Sequence, residues 1–511
     1  MRIAVIGGGI AGLATAALLA REGHELVLLE KNDAVGGRVG LWERDGFRFD
    51  TGPSWYLMPE VFDHFFRLLG TSATEQLDLV PLDPGYRVYA EGYADPLDLH
   101  ADAEENVAVF EREEPGAGAR LRAYLARSAE LYAIAKEHFL YTTFVRLGPV
   151  FGGGVLGKST RLSRLLLEPL GALTRRTVRD RRLRQILGYP AVFLGAAPDT
   201  TPSLYSLMSY LDLADGVRYP LGGFRTIIDR IAGLAEAEGV EVRTGAEVVR
   251  IRVDGGRATG VDLADGARLD VDAVVSAADL HHTETRLLDA AHRTHPDRAW
   301  RRRNPGPSAL LILLGVRGEL PELQHHTLFF SRDWDANFAA IFDDPTRIPD
   351  TPSLYVCKPS GVDPTVAPEG AENLFVLVPL PADPCLGRGG VDGEGAALLE
   401  ALGDRVIAQI GSWAGIDDLA ERVVVRRTIG PADFESEFHA WRGGALGLAH
   451  TLRQSAFFRP GDASRTVANL FYAGSSTIPG VGLPMCLISA ELVVKRLRGD
   501  TSAGPLPEPL R

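Results

Sequence analysis

Three glycines near the amino terminus have the spacing of a diphosphate grip. In "RIAVIGGGIAGLATAALLAREGHELVLLEKNDAVGGRVG" the pattern Gly7-x-Gly9-x-x-Gly12 is followed, 18 residues beyond Gly12, by the carboxylate of Glu30. Gly7 suits a tight turn, Gly9 lets a pyrophosphate approach the backbone, and Gly12 lets a helix lie close to a strand; the acid is placed for ribose hydroxyls. A second candidate, "FGGGVLGKST" (151–160), has Gly152, four intervening residues and then Gly157-Lys158-Ser159, the spacing of a loop that grips ATP phosphates. The elements on either side decide between the two.

Residues 2–6, "RIAVI", read as a buried parallel strand, 10–21 as an alanine- and leucine-rich helix, and "HELVLLE" (24–30) as a second buried strand. The first loop therefore sits in a βαβ unit, with helix-start N–H groups facing the phosphates. The second loop lacks this frame. Arg146, Gly148 and Pro149 interrupt any strand before it, and the stretch after it is strongly basic, with Lys158, Arg161, Arg164, Arg175, Arg176, Arg179, Arg181, Arg182 and Arg184 against Glu168 and Asp180. The cofactor is expected at the first loop. The second stretch, mixing these cations with Phe139, Leu140, Tyr141, Phe144, Val150, Phe151 and Leu165–Leu167, suits either the headgroup region of an anionic membrane or a solvated helix face with core contacts.

Farther along, 225–238 reads as an amphipathic helix, followed by "VEVRT", strands separated by turns at Asp254-Gly255-Gly256 and Asp265-Gly266, and a buried strand "DAVVSAAD". "NLFYAGSSTIPGVGLPMCLISAELVVKRL" predicts a strand, a glycine-rich turn and a closing helix. The expected fold is α/β: a discontinuous Rossmann-like nucleotide-binding domain with a β-meander (1–95, 215–285 and 441–500), and a mixed α+β substrate domain (96–214 and 286–440). The latter includes a helical, membrane-facing segment at 138–184, and 501–511 reads as a loose tail.

Composition narrows the class. The chain has 511 residues, 45% apolar and 24% charged, and a net charge of −13, which disfavours nucleic-acid binding. Cys357, Cys385 and Cys486 lack metal-ligand spacing, and three thiols suit a reduced, cytoplasmic setting. Residues 1–20 lack signal-peptide features, and no apolar run approaches the roughly 20 residues that span a bilayer. "ALLILLG" (309–315) and "FVLVPLP" (375–381) are short enough for core strands.

After Glu30, Gly36-Gly37-Arg38 resembles the flavin amine-oxidase superfamily, and the whole chain is similar to bacterial carotenoid desaturases of the phytoene desaturase type. "FDTGPSWYLMPEVFDHFF" (49–66), "GVRYPLGGFRTIIDRIAGLA" (216–235) and "YAGSSTIPGVGLPMCLISAELV" (472–493) carry the resemblance in the family's order. It implies FAD, with Gly7, Gly9, Gly12, Glu30, Lys31, Gly37 and Arg38 on the ADP part and Val248 meeting adenine through its backbone. Gly52-Pro53-Ser54 would line the flavin face, Gly474 the ribityl end, and Gly482 with Met485 the pyrimidine end. Where many relatives have "PGV" this chain has "PMC", so Met485 and Cys486 alter either flavin contacts or only shape.

The resemblance further implies desaturation of a long apolar C40 isoprenoid such as phytoene, with a hydride passing to flavin N5, quinone or oxygen as final acceptor, and a peripheral place on the inner face of the cell membrane. Trp55 or Tyr56 is a candidate to face developing positive charge, and Arg146 and Arg225 are candidates for the tunnel mouth. No catalytic base is identifiable. His281-His282 and His325-His326 are adjacent pairs whose members should project differently, so no metal is expected. The rival readings are a carotene isomerase, an amine or porphyrinogen oxidase, and a non-catalytic prenyl-lipid carrier.

Overall fold

The computed structural model describes residues 1–145, 165, 167–342 and 348–510. The second glycine loop and Arg146 lie outside them. The chain opens with β1 (Arg2–Ile6), α1 (Ile10–Arg21) and β2 (Glu25–Leu29). β1 and β2 lie inside a five-stranded parallel sheet, ordered Leu470–Tyr472, Ala273–Ser276, β1, β2, Glu241–Arg243. The sheet is covered on both faces, so its strands are continuous apolar runs rather than alternating ones. The strands come from three distant parts of the chain, and the meander Val248–Asp254, Arg257–Leu263, Arg268–Asp270 forms its own antiparallel sheet beside them.

A seven-stranded sheet runs Val423–Ile429, Ser308–Arg317, Ala371–Leu380, Leu354–Cys357, His326–Phe330, Tyr86–Ala90, Leu97–Leu99. "ALLILLG" and "FVLVPLP" are neighbours at its centre, with Leu313 opposite Phe375. The Ala397–Ala414 helix supplies part of the apolar cluster on one face. Tyr86–Ala90 and Leu97–Leu99 belong to this sheet, so the nucleotide-binding segment does not extend to residue 95 as the sequence suggested. The strands there are short, and only pairing with His326–Phe330 reveals their sheet.

Two motifs far apart in sequence clasp each other. The Asp50 carboxylate of "FDTGPS" accepts hydrogen bonds from Phe224 N–H (2.7 Å) and Arg225 N–H (3.0 Å), at the start of the Arg225–Ala237 helix. A Cβ on Gly223 would lie 2.6 Å from that carboxylate, so this residue must be glycine for the clasp to close. Burial nevertheless pushes Asp50 up to about 6, against the pull of those two N–H groups.

In the described part of 138–184 several leucines and cations have partners within the protein, whereas Leu167 is 72% exposed. Leu170, Leu173, Leu183, Ile186 and Leu187 enter the core. Arg175 pairs with Asp199 at 2.9 Å, and the buried Arg182 bridges Glu113 and the Asp95 carbonyl. No helix among the described residues is long and apolar enough to cross a membrane.

The expected loose tail is docked instead. Leu506 and Leu510 are buried, and the Leu510 N–H donates to the Leu68 carbonyl. His64 lies between Glu508 and Glu491, its Nε2 2.9 Å from the latter. Proline-rich composition suggested a free end, but two leucines four residues apart find sockets that exist only in the folded chain. Burial opposes the charge on His64, yet the two carboxylates outweigh it and raise its pKa above 6.5. A raised histidine pKa stabilises the docked state fully below the unfolded value, and that contribution is lost as pH climbs through the folded one. Limited proteolysis of the tail should therefore accelerate as pH rises above 6.5, the ordinary histidine value, and His64→Gln should flatten that dependence.

Candidate functional site

The first loop is built by close approach of backbone to backbone. An ideal Cβ on Gly12 would fall 1.9 Å from the Gly7 carbonyl oxygen, so only glycine lets α1 start against β1. Gly12 thus packs helix on strand, and it is not among the residues that line the cavity. Gly9 is the opposite case: its Cβ would meet nothing nearer than Gly37 Cα at 3.9 Å. That open space, beside the first-turn N–H groups of α1, is where a diphosphate fits. The Gly36 N–H donates to the Gly8 carbonyl (2.8 Å) and folds the Gly36-Gly37-Arg38 stretch over the loop.

Glu30 is buried, and its carboxylate accepts from the Gly8 N–H (2.7 Å) and the Asn32 N–H (2.9 Å). It therefore shapes the loop while also lining the cavity. Lys31 lines it too and donates to the Ser436 carbonyl at 2.9 Å. Val248 begins the meander and lies on the same wall.

Arg38 has the least satisfied cation here. Its Nη2 reaches only the Gly444 carbonyl at 3.3 Å, its Nε has no partner, and its guanidinium lies 5.7 Å from the Phe438 ring centre. Burial draws its pKa below the ordinary value. Asp279 acts on this guanidinium through charge, but no carboxylate among the described residues is paired with it, and an anion such as a diphosphate would complete its hydrogen bonding. The empty space at Gly9 and the orphaned nitrogen of Arg38 both fit a dinucleotide.

The cleft continues into a cavity of about 510 Å³. Gly52, Pro53 and Ser54 line it, the Ser54 hydroxyl 2.7 Å from the Tyr355 hydroxyl. Gly474 also lines it, its N–H donating to Ser489 Oγ at 3.0 Å. Gly482 caps the Leu483–Arg498 helix, whose first turn brings Met485 and Cys486 to the wall. Burial pushes the Cys486 thiol up to about 12, so it lines the wall as a neutral group.

Charge is segregated along this cavity. Among the described residues, the carboxylates and cations that line it are Glu30, Lys31, Arg38, Glu247, Asp279 and Glu437, all at the strand ends near the first loop or on segments touching them. The rest of the wall includes Leu131, Ile134, Phe193, Leu207, Met208 and Phe457. These apolar residues escaped the sequence reading, because a helix's apolar stripe does not say whether it meets core or cavity. Also missed was His450, whose Nε2 accepts the Val481 N–H at 3.1 Å while its Nδ1 lies 2.7 Å from the Tyr205 hydroxyl. Burial drives its pKa well below 6.5, so a neutral imidazole anchors the loop leading to Gly482.

Other sequence candidates are placed elsewhere. Trp55 lines the cavity, but Tyr56 is fully buried and stacks on Phe62 at 4.3 Å. Arg225 is no mouth residue, since it is tied to Asp229 and the Val35 carbonyl, each at 2.7 Å. His281 and His282 do part, the first onto Trp441 and the second onto His439. His325 and His326 do not, and converge on Cys357.

The sequence pattern described as flavin containing amine oxidoreductase matches residues 10–498. The chain is 40% identical over 500 residues to a carotenoid 3,4-desaturase of Haloarcula japonica, covering 98% of both chains. It is 36% identical to a zeta-carotene-forming phytoene desaturase of Myxococcus xanthus, covering 97% of this chain and 93% of that one. Among solved structures, an oxidoreductase from Methanosarcina mazei superposes with a TM-score of 0.63 at 17% identity, over 97% of this chain and all of that one.

Proposed function

The chain belongs to the flavin-containing amine oxidoreductase family, and from that premise we propose that it is an FAD-dependent desaturase of C40 carotenoid precursors. The observation that carries this reading is the charge segregation of the cavity: a polar end fit for a dinucleotide opens onto a wall that has no carboxylate or cation among the described residues. A long hydrocarbon offers no group to hold by charge, so its site must be shaped by apolar surface. The flavin, when bound, supplies the electron acceptor for hydride removal. The protein orients the polyene, excludes water, and presents the amino-terminal end of the Leu483–Arg498 helix toward the ring region. Loss of a proton from the neighbouring carbon completes the double bond, and quinone or oxygen is the terminal acceptor.

The test is anaerobic incubation of flavin-loaded protein with phytoene in liposomes. Flavin bleaching together with new polyene bands is expected. Rearranged isomers without bleaching would indicate an isomerase, and protein purified without flavin would indicate a carrier. The identity to a carotenoid 3,4-desaturase favours a second reading, in which an already conjugated carotenoid is desaturated near its end. In that case phytoene leaves the flavin oxidised, and a coloured acyclic carotenoid bleaches it.

Arg38→Ala should weaken flavin retention about 30-fold, the loss of one charge-assisted contact of about 2 kcal/mol, with Arg38→Lys intermediate. Equilibrium dialysis of the flavin measures both.

We place the protein peripherally on the inner face of the cell membrane. Phe457 and Phe458 are 45% and 56% exposed, and Phe457 with Phe144 lines the cavity, so the apolar route opens beside them. A hydrocarbon leaving a bilayer can enter there without crossing water. The double variant Phe457→Ser/Phe458→Ser should bind anionic liposomes at least about 30-fold less, since each ring removes about 1 kcal/mol or more of apolar contact. Flavin content should not change.

A further inference from the structure

We propose that His325, His326 and Cys357 form a buried site for one soft or borderline closed-shell cation, zinc(II) or copper(I), between two strands of the seven-stranded sheet. His326 and Cys357 are direct cross-strand partners in an antiparallel ladder, so their side chains share one face. His325 precedes the strand, and its ring turns edge-on toward that of His326, with centres 4.6 Å apart. One ligand atom from each of the three residues lies within 4.8 Å of the others, and bonds of about 2.0 to 2.3 Å to a single ion would draw them together by up to about 1 Å.

The second observation is independent of that clustering. Both ring nitrogens of His325 and the Nε2 of His326 have no hydrogen-bond partner, although the two residues are only 5% and 0% exposed. Leaving a buried polar atom unpaired is unfavourable, and such groups call for an occupant. In the tautomer whose Nδ1–H donates to the Tyr355 hydroxyl (2.7 Å), His326 keeps the Nε2 lone pair free, and the contact fixes the ring as an outer partner does for a ligating histidine. Trp55 stacks on the other side at 4.2 Å and separates the cluster from the large cavity.

Two imidazoles and a thiolate select soft or borderline ions over magnesium or calcium. Binding forms a bond from Cys357 Sγ to the ion and releases the thiol proton to solvent, with no change of oxidation state. Copper(I) would leave the set neutral. Zinc(II) would leave one positive charge, in a neighbourhood where Lys358 and Asp363 act on His325 with opposite signs. The ion would pin the start of one strand to the end of the next and take no part in the flavin reaction. Being closed over, it would enter as the chain folds.

Untagged, flavin-loaded protein is prepared from zinc-supplemented and from copper-supplemented cells, and its metal content measured by mass spectrometry. About one ion per chain is expected in one arm, with an X-ray absorption spectrum showing one sulfur near about 2.3 Å and two imidazole nitrogens near about 2.0 Å. Cys357→Ser and His325→Gln should each lower the metal content at least tenfold while the flavin is retained. Protein free of metal in both arms, a metal shell lacking sulfur, or a content unmoved by both substitutions would overturn the assignment. If neither variant accumulates, the wild-type absorption spectrum decides alone.

Discussion

A Gly9→Val variant is expected to fold as well as the parent and to purify without colour. The residue has φ −73°, ψ 176°, ordinary extended geometry for valine, and the new Cβ would find nothing within 3.9 Å. The fold should therefore tolerate it, with an unfolding midpoint within a degree or so of the parent. The added carbons would fill the space between the Gly9 backbone and the Gly36-Gly37-Arg38 segment, and a diphosphate could no longer reach the first-turn N–H groups of α1. Losing two such charge-assisted contacts is about 4 kcal/mol, or a thousandfold in flavin affinity. Gly12→Val is the contrasting case. With a Cβ 1.9 Å from the Gly7 carbonyl, it should fail to accumulate as soluble protein. Thermal unfolding and flavin absorbance of the two variants separate the roles. Full flavin content in a folded Gly9→Val protein would remove the diphosphate from this loop.

Met208→Glu should leave flavin content unchanged and lower kcat/KM for a carotenoid substrate at least about 100-fold, roughly 2.7 kcal/mol in the transition state. Met208 lies on the Leu207–Leu213 helix and faces the cavity beside Leu131 and Ile134, away from the charged end. A carboxylate there must either stay ionised in apolar surroundings or take up a proton, and both are unfavourable near neutral pH. The second route predicts a diagnostic sign: activity should partly recover as pH falls and the glutamic acid becomes neutral. Met208→Leu, which keeps volume and polarity, should stay within about threefold of the parent. Steady-state assays in liposomes across pH measure this, and an unaffected Met208→Glu enzyme would move the substrate path off this wall.

How much of this was legible in the sequence follows from the range over which each feature is set. The first βαβ unit depends on a few residues at a time: apolar β-branched runs, an alanine-rich helix and glycines at backbone contacts. The rejection of the second glycine loop also rested on local context, and the described residues do not reach it. The pairing of "FDTGPS" with "YPLGGF" is different. Each motif stands out in the chain, but the Asp50 carboxylate meeting the Phe224 and Arg225 N–H groups exists only after some 170 intervening residues have folded.

Periodicity assigns an apolar face to the Ala117–Ala135 and Leu207–Leu213 helices without saying what that face meets. Only their packing around an unfilled space turns Leu131 and Met208 into a wall. The same holds for the docked tail, and for the convergence of His325, His326 and Cys357, which follows from strand register across the excursion 331–353 that joins the His326–Phe330 strand to the Leu354–Cys357 strand. The amino-acid order alone determined the first βαβ unit with its glycine turn, and the family, because backbone chemistry at glycine and short apolar runs is local. The tertiary structure alone decided which apolar side chains face a cavity, where charge is excluded, and which distant polar groups meet, because those depend on the closing of long loops and on packing that no short window of sequence contains.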